Sequence, residues 1–129
     1  MVTNPQGRYE VKTRVTFFLP VNDTDEEQAF LAILRYLQEQ RTSQIPVTGF
    51  TTSTLPDTGF SGEWWDSTSN VWLEEVVALC IVDYPLPFHD ARLQQAIGEL
   101  KRKIDQEYKD HNSEQEQIWI VAQEAYLYA

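Results

Sequence analysis

Three side chains that can exchange protons surround one apolar segment of the chain. Glu75 precedes the apolar run 76–82, Asp83 follows it, and His89 comes six residues later. A carboxylate or an imidazole can serve as a general base, and the pKa of histidine suits proton transfer near neutral pH. Glu75, Asp83 and His89 are therefore the candidate catalytic residues of this sequence.

Each of these candidates also has a simpler interpretation. Glu74 and Glu75 are adjacent, so on a strand they point to opposite faces and do not form a carboxylate pair. An ion pair between one of them and Arg14 on a neighbouring strand is the favoured interpretation. His89 stands beside Asp90, a predicted helix N-cap, where local hydrogen bonding is commoner than catalysis.

A second group of residues suits binding rather than proton transfer. Aromatic side chains cluster beside two glycines, and they predict a ligand pocket, a protein interface or a hairpin stapled to the domain. These candidate ligand or interface residues are Phe60, Trp64, Trp65 and Trp72.

The sequence has no motif for a cofactor, a metal or a nucleophile, so none is predicted. Nucleotide-binding glycine loops, paired cysteines and hydrolase signatures are all missing. His89 and His111 would lie about 30 Å apart at the two ends of one helix, too far for a shared metal. Cys80 is the only cysteine and lies inside the apolar run, which predicts a buried, inert thiol.

The charge of the chain excludes several classes of partner. Twenty acidic residues against ten basic ones leave a net charge of -10, which repels nucleic-acid phosphates and anionic membranes. The sequence has no signal-peptide pattern and no apolar stretch long enough to span a membrane. We therefore expect a cytoplasmic protein that binds neither nucleic acid nor membrane.

Periodicity and capping signals place the candidate residues on four strands and two helices. Thr24 to Glu27 form a capping box in which the Thr24 hydroxyl caps the helix and Glu27 reaches back. The segment around Trp64 is either a hairpin tip or a short added strand. The predicted elements are strand 8–19, helix 25–41, a strand within 45–55, strand 71–84, a helix from Asp90 to about Lys109 and a strand from Gln117 to about Tyr128.

This order, βαββαβ, predicts one α+β domain over residues 1–129, with residues 1–7 as a loose leader. Split βαβ units of this kind build a ferredoxin-like sandwich, an antiparallel sheet with two helices on one face. Right-handed crossovers would place the first and third strands at the centre of the sheet. The element order resembles that of the dimeric α+β barrels, a resemblance of fold that implies no particular function.

The apolar pattern also predicts self-association. The third strand is apolar on both faces, as is the start of the fourth, whereas two helices cover only one face. A homodimer is favoured as the cover, with the Trp64–Trp65 hairpin folded back as the alternative. Two functions stay open: a non-enzymatic oligomeric domain that binds a protein or a ligand, and a small cofactor-free enzyme with an aromatic-lined pocket.

Overall fold

The computed structural model describes residues 2–3, 9–52, 60–113 and 118–128. Of residues 2, 3 and 64 it describes the backbone only. Within these ranges the chain forms one α+β unit of six strands and two helices. The elements are β1 (Val2–Thr3), β2 (Tyr9–Pro20), α1 (Thr24–Glu39), β3 (Gly49–Thr52), β4 (Phe60–Asp66), β5 (Val71–Tyr84), α2 (Ala91–Asp110) and β6 (Ile120–Tyr128). A short 3-10 turn, Gln40–Thr42, follows α1.

The six strands belong to a single antiparallel sheet whose two longest strands are central. β2 pairs with β6 on one side and with β5 on the other. β3 and β4 pair with successive parts of the outer edge of β5, and β1 pairs with the start of β2. The first and third of the strands predicted from the sequence are thus the two at the centre.

Both helices cover the same face of the sheet. Alternate residues of β2 and β5 point to this face and pack with the apolar sides of α1 and α2, because each helix carries its apolar residues at helical spacing. The fully buried members of this core include Val15, Phe17, Leu19, Phe30, Ile33, Cys80, Val82, Leu93, Leu100 and Ile104. The predicted burial of Cys80 is confirmed, and burial raises the pKa of its thiol to about 12.

Helix α1 begins one residue earlier than the capping box predicted. Asp23, not Thr24, is the N-cap, and its carboxylate accepts a hydrogen bond from the Glu26 amide at 2.8 Å. Glu26, not Glu27, reaches back, and accepts from the amide and the side-chain nitrogen of Asn22, both at 2.9 Å. Aspartate is a somewhat better N-cap than threonine, and here its carboxylate takes the role that the sequence assigned to the Thr24 hydroxyl.

The end of α2 is tied to the start of α1 through the same glutamate. Asn112 adopts a left-handed backbone with φ 62, and the amide of Ser113 returns to the carbonyl of Tyr108 at 2.9 Å, which is a Schellman ending. This turn places the Ser113 hydroxyl 2.8 Å from the Glu26 carboxylate, to which it donates. Glu26 is buried, so its hydrogen bonds fix the two helices relative to each other.

Other boundaries differ from the sequence prediction. Val2 and Thr3, predicted as part of a loose leader, pair with Val11 and Glu10. The segment around Trp64 is an added strand, β4. The last strand begins at Ile120 rather than residue 117, because its pairing with β2 extends only as far as the Phe17–Ile120 pair. The predicted turn at residues 56–59 lies outside the described residues.

Candidate functional site

The face of the sheet opposite the helices, which we call the open face, is the first candidate site. The register places Thr16 and Phe18 of β2 beside Ile81 and Leu79 of β5. On the other side of β2, Thr16 lies beside Val121 of β6. These side chains point away from the helices because their neighbours along each strand point into the core. The described residues leave much of this face accessible to solvent.

The open face has an apolar half. Phe18 is 41% exposed, Val121 55% and Trp119 67%. Trp119 joins this half because Ile118 and Ile120, on either side of it, pack into the core. A whole aromatic side chain has about 200 Å² of accessible surface. At 41% and 67% exposure, Phe18 and Trp119 together therefore leave about 200 Å² of apolar surface in contact with solvent.

The other half of the open face is charged but balanced. The guanidinium of Arg14 donates to both oxygens of Asp83, at 2.8 and 3.1 Å, and the two residues are directly opposite each other on β2 and β5. The hydrogen bond to Asp83 raises the pKa of Arg14. Lys12 lies 4.0 Å from Glu10 on the same strand. The prediction that Arg14 pairs with Glu74 or Glu75 was wrong, because β2 ends opposite Val77, before it reaches the glutamates.

The three candidate general bases do not converge. Glu75 and Asp83 are eight residues apart on β5, about 26 Å at the rise of a strand, so they cannot act on one small substrate. Asp83 is engaged by Arg14. His89 is exposed on the turn before α2, where its ring lies edge-on to Phe88 with centroids 5.2 Å apart. The prediction of Asp90 as N-cap of α2 is confirmed.

The candidate aromatic residues line a hairpin rather than a pocket. Trp65 and Trp72 are directly opposite each other on β4 and β5, edge to face, with ring centroids 5.7 Å apart. They are 52% and 66% exposed, and Phe60 is 50% exposed. The side chain of Trp64 lies outside the described residues. Because β4 pairs along the edge of β5, this hairpin continues the sheet instead of folding across it.

A groove of about 300 Å³ separates the end of α1 from the first half of α2. Its lining is mainly polar, and Arg92, its only basic residue, is paired with Asp90 at 2.8 Å. That hydrogen bond is also the main reason why the pKa of Asp90 falls to about 2. None of the seven candidate site residues lines this groove, so it does not unite them.

Sequence reasoning missed the residues that matter most on the open face. Phe18 was visible as the one large apolar residue on the polar side of its strand, and Trp119 and Val121 as part of an apolar run. Glu26 gave no signal of burial, since its partner Ser113 is 87 residues away. Among the residues that the structure describes, no group of three potential ligands could hold a metal ion, and no helix is long and apolar enough to cross a membrane.

Comparison with known proteins finds a likeness among solved structures. No protein-family model and no curated protein matches this chain. A phage SAM lyase in complex with S-methyl-5'-thioadenosine aligns with a TM-score of 0.49 and 14% identity, over 92% of this chain and 90% of that one. A phage SAM lyase in the apo state aligns with a TM-score of 0.46 and 13% identity, over 100% and 97%. At these values the likeness does not extend to the function of this chain.

Proposed function

We propose that this chain is a non-enzymatic, self-associating binding domain in which a second copy covers the open face. The observation that carries the proposal is the exposure of Phe18, Trp119 and Val121 on the side of the sheet that neither helix covers. Apolar side chains gathered on one exposed face mark an interaction site when polar residues border them. A two-fold pairing of the same face covers it in both copies at once.

The charges of the open face favour a second copy as the occupant. The whole chain carries a net charge of -10, so two copies repel each other over most of their surface. On the open face, however, Arg14 is matched by Asp83 and Lys12 by Glu10. This face can therefore meet its own copy without a like-charge penalty.

The size of the open face also suits a dimer. β2 pairs with β5 over the eight residues from Thr13 to Pro20, about 27 Å of strand, and four strands side by side are about 19 Å wide. The resulting projected area is about 500 Å². Because side chains make the surface rough, its accessible area is larger than this projection and is similar in scale to the ~800 Å² that each partner buries in a standard interface.

The order of the strands supports a finer proposal about the fold. Two central strands, β2 and β5, with both helices on one face fit a ferredoxin-like sandwich. Pairing of two such open faces would give an assembly like the dimeric α+β barrels. This part of the proposal concerns architecture, because the fold does not determine a reaction.

The non-enzymatic part of the proposal rests on the positions of the candidate bases. An enzyme with an aromatic-lined pocket would need a carboxylate or histidine inside it. Asp83 forms an ion pair with Arg14, and Glu75 lies eight residues from Asp83 along β5. His89 is on an exposed turn. The aromatic residues are on an extended hairpin instead of around a cavity.

The test is the mass of the protein in solution and its response to one charge on the open face. We expect the parent to have twice the 15.0 kDa mass of the chain at micromolar concentration. Val121→Lys should raise the dissociation constant at least about 100-fold, because the dimer would bury two unpaired charges. A lysine reduces the net negative charge, so general repulsion cannot explain a loss of association.

The matched control is Leu31→Lys on the exposed side of α1, where the leucine is 42% exposed. It makes the same change of charge and should leave the dimer intact. Circular dichroism checks that each variant is folded, and Trp119→Lys, just before β6, serves as a second variant on the open face. A parent that is monomeric at all concentrations, or dimers unaffected by both open-face variants, would overturn the proposal.

A further inference from the structure

The hairpin of β4 and β5 extends past the centre of the sheet and presents a second surface. Pairing between β2 and β5 ends at Pro20 and Val77. Beyond that point β5 continues from Val76 to Val71, paired with β4. Three alternate register pairs share one side of this ribbon: Ser61 with Val76, Glu63 with Glu74, and Trp65 with Trp72. We call this side the hairpin face.

The hairpin face brings two glutamates directly opposite each other. Glu63 and Glu74 are a cross-strand pair, and like charges in that position destabilise a sheet unless something positive lies between them. Both residues are exposed, and Glu74 accepts a hydrogen bond from Ser61 at 3.0 Å. The chain has no lysine or arginine between Arg41 and Arg92, so the sequence of the hairpin supplies no cation to this pair.

An aromatic pair borders the two glutamates. Trp65 and Trp72 lie two residues further along the same strands, more than half exposed and packed edge to face. Tryptophan is the aromatic residue that attracts cations most strongly, through the negative face of its ring. A positively charged group placed here would meet both a ring face and two carboxylates.

We propose that the hairpin face binds a basic segment of a partner protein, with arginine side chains over Trp65 and Trp72 and between Glu63 and Glu74. Charge complementarity selects this partner. A planar guanidinium can stack on an indole while it donates to a carboxylate, which a lysine ammonium does less well. An extended segment with arginine at alternate positions matches the two-residue period of the strands.

A second copy of this chain fits the hairpin face poorly. The chain has a net charge of -10, and several of its basic side chains already have acidic partners. Ion pairs engage Arg14, Arg92, Lys101 and Lys103 with Asp83, Asp90, Asp105 and Glu107 respectively. A basic segment of a different protein supplies positive charge without the general repulsion between two acidic copies.

The probe is a synthetic peptide of alternating arginine and threonine, with its termini blocked, titrated into the full chain by calorimetry at two salt concentrations. We expect binding that weakens as salt rises. The double variant Glu63→Gln with Glu74→Gln should weaken it at least about tenfold, and Trp72→Leu at least about fivefold. A lysine–threonine peptide should bind more weakly than the arginine peptide.

The matched control removes two charges elsewhere on the surface. Asp25→Asn with Glu39→Gln changes two exposed acids of α1 and should alter affinity less than about twofold, since only the general field changes. The proposal fails if the parent does not bind the arginine peptide, or if both double variants weaken it equally. Val121→Lys should bind the peptide like the parent, so this proposal and the dimer can fail separately.

Discussion

Phe17 and Phe18 are neighbours in the chain and lie on opposite faces of the same strand. Phe17 is 1% exposed and packs under the helices, whereas Phe18 is 41% exposed on the open face. The residue type is the same, and only the presence of α1 and α2 on one side differs. The comparison teaches that an apolar strand residue indicates a face that needs a cover, without saying what the cover is.

The two faces also treat polar groups differently. On the covered face the Tyr108 hydroxyl donates to the Pro20 carbonyl at 2.7 Å, and the Thr13 hydroxyl donates to the Leu86 carbonyl, also at 2.7 Å. Buried polar groups of this kind must find partners within the fold. On the open face Arg14 and Asp83 stay partly accessible to water and form a surface ion pair.

The largest expected effect separates the two phenylalanines. Phe17→Ala should lower the free energy of unfolding by about 3–5 kcal/mol, because it leaves a cavity in a packed core. Phe18→Ala should lower the free energy of unfolding of the monomer by less than about 1 kcal/mol, since the Phe18 ring is already partly solvated. Urea unfolding at low protein concentration measures both values. Equal losses would show that the open face is packed in the monomer as well.

The next effect concerns buried groups that titrate at alkaline pH, all of them on the covered face. Burial raises the pKa values of the Cys80 thiol and of the Tyr84 and Tyr108 hydroxyls. The unfolded chain releases these protons at lower pH than the folded chain, so stability should fall as pH rises above about 9. Cys80 alone contributes about 1.4 kcal/mol per pH unit up to about pH 12.

The slope of unfolding free energy against pH between 9 and 11 measures this prediction. Cys80→Ala should make this slope shallower by the equivalent of one proton, about 1.4 kcal/mol per pH unit. The cavity left by the substitution lowers the free energy of unfolding equally at every pH, so it does not change the slope. In the parent, thiol reagents at pH 8 should label Cys80 only at the rate of unfolding. Rapid labelling of the native chain, or a slope unchanged in the variant, would contradict the burial of this strand.

The smallest effect concerns the ion pair of the open face. A double-mutant cycle with Arg14→Ala and Asp83→Ala should give a coupling energy of about 0.5–1 kcal/mol, because both side chains are partly solvated. The coupling should decrease in 0.5 M salt. If it exceeds about 2 kcal/mol in the dimer and not in the monomer, the pair is buried by the second copy, which sharpens the contrast between the faces.

Much of the local structure could be predicted from sequence because it depends on neighbours in the chain. Alternation identified β2, and the third predicted strand agrees residue for residue with β5, Val71–Tyr84. Asp90 was recognised as a cap because its role involves the next few residues only. The cap of α1 was misplaced by one residue, since Asp23 and Thr24 are adjacent residues that both cap helices well.

The candidate site was less predictable, since it depends on pairings across the fold. Arg14 was predicted to pair with Glu74 or Glu75, and the register of β2 against β5 instead places it opposite Asp83. The pairing of β2 with β5 ends at Pro20 and Val77. Glu74 lies beyond that point, in the hairpin of β4 and β5, where it is opposite Glu63. No local pattern contains this information, because a shift of one residue would exchange the faces of the strand.

By itself, then, the sequence determined the four main strands and the two helices, that the thiol of Cys80 is buried, and that more apolar surface exists than two helices can cover. Only the tertiary structure decided that Phe18, Trp119 and Val121 share one open face, that Glu26 meets Ser113, and that Trp65 and Trp72 border two opposed glutamates. The physical reason is range. Propensity, periodicity and capping act over a few residues, whereas a shared surface depends on strand register and helix placement across the whole chain.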